Sequence, residues 1–344
     1  MTSDAEGSFR SHANYLRALA TLAGHTTIPM ATRTKAMAGQ RAAVLASTSL
    51  HDKPHGGPDL AGVRRSLANA WGTELLLGLS REYAVEDDLV RLANNWGAVQ
   101  AYYVVYHAFQ AYMLANGEAR PTTHSKTQRM FADRWAGRTL HMPPWTLAAG
   151  EGGFHNGPPG RDIDLSVHQW KFCDATNCWD IAAQALRSTR EDAMPDAMHA
   201  KRESKRKDRR RAWQKEEEER VAEGRKPRKP PTVRLPQLTA AEKVAVRRGV
   251  RRYTAMDYLY RLRIKSNYED STMFTDGPTD EYASSAVHDD LVRLAASALL
   301  LHELHIRQLI GVPRMTALVD DWLARNMPGA KMGLALRRDV ILAT

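Results

Sequence analysis

Between Tyr258 and Asp270, in YLYRLRIKSNYED, apolar periodicity, fixed positive charge and hydrogen-bonding side chains converge. Arg263, Asn267 and Tyr268 are the residue types that hold a phosphate or a partner's backbone: a permanent cation, an amide and a phenol. Tyr258, Leu259, Leu262 and Ile264 form an apolar stripe at helical spacing, so Arg261, Arg263 and Lys265 must line another face. The following Ser266-Asn267-Tyr268-Glu269-Asp270 competes for backbone groups, which predicts a helix that ends or bends here and leaves Arg263, Asn267 and Tyr268 at its tip. A structural alternative stays open, in which Arg263 pairs with Glu269 or Asp270 and ties down the helix end.

Two histidines are candidates for proton transfer. His107 lies in Asn94 to Leu114, NNWGAVQAYYVVYHAFQAYML, among Tyr103, Tyr106 and Tyr112, where it is read either as a satisfied buried side chain or as an acid/base group. His124 lies in Thr122-Thr123-His124-Ser125, an N-cap pattern that opens a helix carrying Met130, Phe131 and Trp135. Metal chemistry has weaker support. His168, Cys173 and Cys178 lack the usual zinc spacing, and His302-Glu303-Leu304-His305 has its second histidine one position too early for a zinc helix and is read as helix surface. No Walker loop, dinucleotide-binding glycine pattern or nucleophile elbow occurs, so we expect no cofactor and no metal.

The elements that must position these groups read as helices. Tyr15 to Ala23, Ala31 to Leu50, Leu60 to Leu79, Val85 to Leu92 and Asn94 to Leu114 carry helical patterns, the last apolar on nearly every side and therefore central. Residues 1 to about 12 are polar and expected to fray. Asn116-Gly117 stops the central helix. Met142 to Asp164 is too rich in Pro and Gly for regular helix and reads as a long surface loop. From His199 to Arg234 the chain is nearly all charge and cannot build a core. Lys201, Arg202, Lys205, Arg206, Lys207, Arg209, Arg210 and Arg211 crowd one end of this stretch, and an acidic block, Glu216 to Glu219, follows. The pattern fits a long exposed helix with ion pairs four residues apart, and the stretch 199–231 is either a nucleic-acid or partner arm or a solvated hairpin. Thr239 to Glu242 is a capping box, and Asp280 to Ile310 is a long helix stopped by Gly311-Val312-Pro313.

The 344 residues carry a net charge of +10 and 43% hydrophobic side chains, enough for a real core and favourable to acidic partners. RNA is the expected partner, with DNA possible. Two cysteines give no disulfide framework, and no apolar run approaches the roughly 18 residues of a membrane span. We therefore expect a cytoplasmic protein without membrane contact. The fold class expected is all-α, a helical bundle interrupted by a long, highly charged helical insertion: residues 1–145 form the first part of the bundle, 146–238 the loop and insertion, and 239–344 the second part.

Two separated stretches together resemble the HEPN superfamily of small α-helical bundles found in prokaryotic toxins, abortive-infection proteins and other defence components. Ala101-Tyr-Tyr-Val-Val-Tyr-His107-Ala108 through Thr123-His124-Ser125 is similar to its YYAxxHA helix and the following His-containing helix start, and Leu259 to Tyr268 is similar to its LRxxADY segment. The resemblance implies a homodimeric, metal-independent ribonuclease in which Arg stabilises charge on the scissile phosphate and His moves the proton of the attacking 2'-hydroxyl. The superfamily's Arg-x(4–6)-His signature is incomplete here. After Arg261 the positions for His hold Ser266, Asn267 or Tyr268, and after Arg263 the first of them is again Tyr268; none of these three serves as a base near neutral pH. Arg134 and His141 have the spacing but lie outside the matched helix. The expectation is that His107 or His124 reaches Arg263 in space; the alternative is a non-catalytic dimeric interaction module whose charged arm recruits a protein or DNA partner.

Overall fold

The computed structural model describes residues 4–24, 37–42, 44–45, 55–83, 86–137, 142–231, 234–270, 272–278, 283–326 and 333–343. Most of the helix expected over 31–50, and His141, lie outside these residues. The class is all-α, with three strands of two or three residues each among those described.

The apolar sequence around Tyr102 forms one unbroken helix, α3 (Asp87–Ala115), rather than the two segments its pattern suggests. Ala101, Tyr102, Val104, Val105, Ala108 and Phe109 are all fully buried, and this explains why the helix has no polar stripe. It packs chiefly against α2 (Leu60–Glu82) on one side and α10 (Ser284–Ile310) on another. Gly117 ends it with φ 75°, and a Cβ there would stand 2.5 Å from the backbone of Gly56, so the close return of the chain needs glycine.

Residues 4 to 12, expected to fray, are helical. Helix α1 runs Asp4–Leu22 and is pinned at its start by Phe9, fully buried edge-on against Phe274 with ring centroids 6.1 Å apart. It packs on α5 (Cys178–Asp192), whose Ile181, Ala182, Ala185 and Leu186 are fully buried in the same core as α3. The expected boundary at 146 is thus too early: α5 belongs to the bundle, and the chain leaves it at α6 (Met194–Ala222).

The stretch from Met142 is likewise not a simple surface loop. Trp145, Leu147 and Ala148 are fully buried, and the Trp145 indole donates to the Ser297 hydroxyl at 3.1 Å. Strand β1 (Ala148–Gly150) pairs antiparallel with β2 (Gly153–His155) and with β3 (Tyr253–Thr254), giving the order β2-β1-β3 with Ala148 opposite both His155 and Thr254. This small sheet fixes the start of helix α8 (Ala255–Ile264).

Helix α6 is the charged insertion, with Glu217 its only buried residue. Glu217 accepts from the backbone and side chain of Arg228, at 2.6 and 2.7 Å, so the returning segment lies against the helix end. Helix α7 (Ala240–Gly249) starts with the expected capping box of Thr239 and Glu242.

His302, Glu303 and His305 correct another expectation, because all three are buried. Glu303 shares Arg337, from α12 (Leu334–Leu342), with Glu74 of α2, and also accepts from the Trp71 indole at 2.8 Å. The motif is a strut across three helices. Arg337 satisfies two carboxylates that an apolar interior would otherwise expel.

Candidate functional site

Helix α8 presents the candidate side chains, and its start is set locally. The Asp257 carboxylate accepts from the backbone N–H and hydroxyl of Thr254, at 2.8 and 3.0 Å, and from Arg251 at 3.0 Å. This closes the first turn and anchors it to the strand before it. Tyr258, Leu259 and Leu262 then face inward. At Lys265 the α-helix passes into a π turn, Lys265–Glu269, closed by a 2.8 Å bond from the Asp270 N–H to the Lys265 carbonyl. A single π turn of this kind is the bend that Ser266 and Asn267 led us to expect.

The basic residues of α8 do not share a face. Arg261 and Lys265, four apart, lie together beside a cavity of about 340 Å³ that also contains His12 and Tyr258. Arg261 makes the structural ion pairs, to Asp192 at 3.2 Å and Glu269 at 2.6 Å. The alternative in which Arg263 takes that role is overturned, because residues two apart on a helix point in nearly opposite directions. His12, 3.2 Å from the Tyr258 hydroxyl, has its pKa lowered to about 3 by burial and then by Lys265 and Arg261.

Arg263 instead turns toward α3. Its guanidinium carbon stands 5.2 Å from the ring centroid of Tyr103, 5.6 Å from that of Tyr260 and 5.7 Å from that of Tyr102. Its Nε is shielded from solvent without a hydrogen-bond partner, and no carboxylate pairs with the side chain among the described residues. A guanidinium in this position has its charge partly desolvated and its forked donors still available.

His124 adjoins this cation, whereas His107 lies one turn further along α3 from Tyr103, beside Arg120. His124 opens α4 (His124–Trp135), where the Thr123 hydroxyl caps the helix by accepting from the Lys126 N–H at 3.2 Å. Its Nδ1 is 2.7 Å from the Tyr102 hydroxyl, and its ring lies 5.0 Å from that of Tyr106 and 5.6 Å from that of Tyr260. Burial and then Arg263 lower its pKa. His107 stacks on Tyr103, with centroids 5.9 Å apart, and burial and then Arg120 bring its pKa to about 4. Burial raises the pKa of Tyr102, which stays a neutral phenol. At neutral pH both imidazoles are therefore uncharged, His124 beside Arg263 and His107 beside Arg120.

The structure thus brings Arg263 and His124 together from two helices around Tyr102, while His107 stands off on the far side of Tyr103, toward Arg120. Asn267 and Tyr268 sit in the π turn, and the Tyr268 side chain is 73% exposed. Tyr102, Tyr260 and Arg120 belong to the patch although sequence reasoning did not select them. The signal was available for Tyr260, three residues before Arg263 and hence on its face of the helix. Cys173 and Cys178 are buried free thiols whose pKa values burial raises.

On the arm, Lys205 pairs with Glu242 at 2.6 Å, Arg206 with Glu203 at 2.7 Å and Arg211 with Asp208 at 4.0 Å. Arg202 turns into a cavity at the base of the arm. Lys201, Lys207, Arg209 and Arg210 are exposed without an ion pair among the described residues. No helix among the described residues is long and apolar enough to cross a membrane. No family model, curated protein or solved structure matches the chain.

Proposed function

We propose that the chain is a HEPN-like RNA-binding protein that cleaves RNA without a metal, as a homodimeric effector of a prokaryotic defence system. The observation that carries this reading is the Arg263 guanidinium, without a carboxylate partner among the described residues, beside the neutral imidazole of His124. An imidazole, a guanidinium and several phenols suit a phosphodiester, whereas magnesium and calcium prefer carboxylate oxygen. In this mechanism Nδ1–H of His124 donates to Tyr102, which leaves the Nε2 lone pair to take the proton of a ribose 2'-hydroxyl. Arg263 neutralises the charge that develops on the phosphate as the 2'-oxygen attacks and the P–O5' bond breaks, which leaves a 2',3'-cyclic phosphate and a 5'-hydroxyl that takes its proton from the protonated His124 or from water. Tyr103 and Tyr260 offer rings on which a base can stack. The exposed cations Lys201, Lys207, Arg209 and Arg210 contact the backbone of the same strand.

A second reading, the non-catalytic interaction module, draws on one observation: the π turn holds Asn267 and Tyr268 where the superfamily's signature, counted from Arg261, has histidine, and Tyr268 where it is counted from Arg263. Incubation of the purified chain with end-labelled single-stranded RNA in EDTA at about 50 mM salt separates the two, because phosphate contacts are strongest there. Retention with cleavage, and loss of cleavage for a fully 2'-deoxy strand, is expected. Retention without cleavage favours the module, and neither retention nor cleavage ends the proposal.

A further inference from the structure

Away from the tyrosine patch, α5, α6 and α7 meet the β1–β2 hairpin around a cavity of about 880 Å³. This lies within the size range of small-molecule sites. Its lining divides by chemistry. Phe154, Leu165, Met194, Met198 and Val244 supply apolar surface, whereas Arg190, Arg202, Lys243 and Arg247 supply positive charge.

The acidic residues of the lining are already engaged, Glu191 with Arg187 at 2.8 Å and Glu151 with Arg248 at 3.1 Å. Arg190 donates from Nη2 to the carbonyls of Arg247 and Val250, at 2.7 and 3.3 Å. The Nε atoms of Arg190 and Arg202 are both shielded from solvent and have no hydrogen-bond partner among the described residues. Buried donors are rarely left so. With the lining carboxylates engaged, Arg190, Arg202, Lys243 and Arg247 leave a mainly apolar cavity with an excess of positive charge, which suits an anionic acceptor that arrives from outside.

We propose that this cavity binds an organic phosphate, with the phosphate held by Arg190, Arg202 and Lys243 and the apolar body lying on Phe154, Met194 and Met198. Planar guanidinium forks match phosphate oxygens, and a dianion answers several cations where a carboxylate answers fewer. The apolar lining requires a body beyond the phosphate, either a nucleobase or a hydrocarbon chain. The cavity wall is shared by α5, α6, α7 and the hairpin, so its occupant joins the base of the charged arm to the bundle.

Calorimetric titration of the full chain with adenosine 5'-monophosphate, decyl phosphate, adenosine and inorganic phosphate tests this. At least one of the two organic phosphates is expected to bind saturably at one per chain, and at least tenfold tighter than adenosine or inorganic phosphate. Binding of the nucleotide alone assigns the body to a base, and binding of decyl phosphate alone to a chain. Arg202→Gln removes one donor and Val244→Trp fills the space from a position that is 44% exposed. Each is expected to weaken binding at least tenfold with an unchanged circular dichroism spectrum, whereas Arg263→Ala leaves it intact. Failure of both organic phosphates to bind, equal binding of inorganic phosphate, indifference to both cavity variants, or loss of binding in Arg263→Ala overturns the proposal.

Discussion

The guanidinium of Arg263 lies 5.2 Å from the ring centroid of Tyr103, although the two residues are separated by most of the bundle's sequence. One side chain comes from the π-terminated end of α8 and the other from the buried helix α3. Their meeting makes Arg263 a cation without a carboxylate partner among the described residues, beside the neutral His124, and the first prediction follows from it. Arg263→Ala should reduce RNA retention at low salt about tenfold and lower the slope of log affinity against log salt by about 0.7, one phosphate contact on a single strand. Arg263→Lys, which keeps charge and loses the planar fork, should recover the slope but not all the affinity. Unchanged retention in Arg263→Ala would remove the site from consideration.

His124→Ala separates binding from cleavage. Removing a general base costs about 10²–10⁴-fold in rate. Cleavage should fall by that order while retention changes less than about threefold, read by single-turnover assay and filter binding on the same preparation. Equal loss of both would mean that His124 only positions the strand.

The arm should contribute affinity without stability. Changing Lys201, Lys207, Arg209 and Arg210 together to Ser removes four exposed cations that have no ion pair among the described residues. The salt slope should drop by about 3, following the same single-strand relation, while the melting temperature moves by no more than a degree or two.

Acid should destabilise the fold through its buried histidines. His302 is fully buried, with ring centroids 5.5 Å from Trp135 and 5.9 Å from Phe109, and burial lowers its pKa to about 4. The unfolded chain takes this proton near pH 6.5 and the folded chain only near 4. The stability is therefore complete above about 6.5, falls as pH drops toward 4, and levels off below, a loss of about 3 kcal/mol for this group alone. His302→Phe should flatten that part of the curve when melting temperatures are compared between pH 7.5 and 4.5. An identical acid slope in the variant would show that His302 is protonated in the folded state.

The buried strut gives the largest single effect. Arg337→Met leaves Glu74 and Glu303 facing each other in the interior and should cost about 3–5 kcal/mol, measured by urea unfolding at pH 7.5. Adding Glu74→Gln and Glu303→Gln should restore part of it by removing the stranded charges. Burial already raises the pKa of Glu74 in the native protein. The single variant should therefore recover stability on mild acidification, when its carboxyls protonate.

Local chemistry made much of this readable in advance. The capping box at Thr239, the stop at Gly117, the bend after Ile264 and the all-apolar character of α3 each follow from side chains that act on their own neighbourhood. The misreadings have one cause. His302-Glu303-Leu304-His305 looked solvated because its polarity is visible in sequence, whereas its partner Arg337 arrives from 34 residues away and Glu74 from further still. Met142 to Asp164 looked like an exposed loop because Pro and Gly exclude helix, yet they exclude neither a tight hairpin nor a buried Trp145 just before it, packed near Phe131 and bonded to Ser297.

By itself, then, the sequence determined which groups were available: a basic chain, a helical class, one arginine and two histidines of the right type, and an arm with too little apolar surface to fold inward. Only tertiary packing decided which of them met. Helical phase sends Arg261 to Asp192 and Glu269 and leaves Arg263 to the tyrosines, and burial, a property of the surroundings, holds His107 and His124 in their neutral forms.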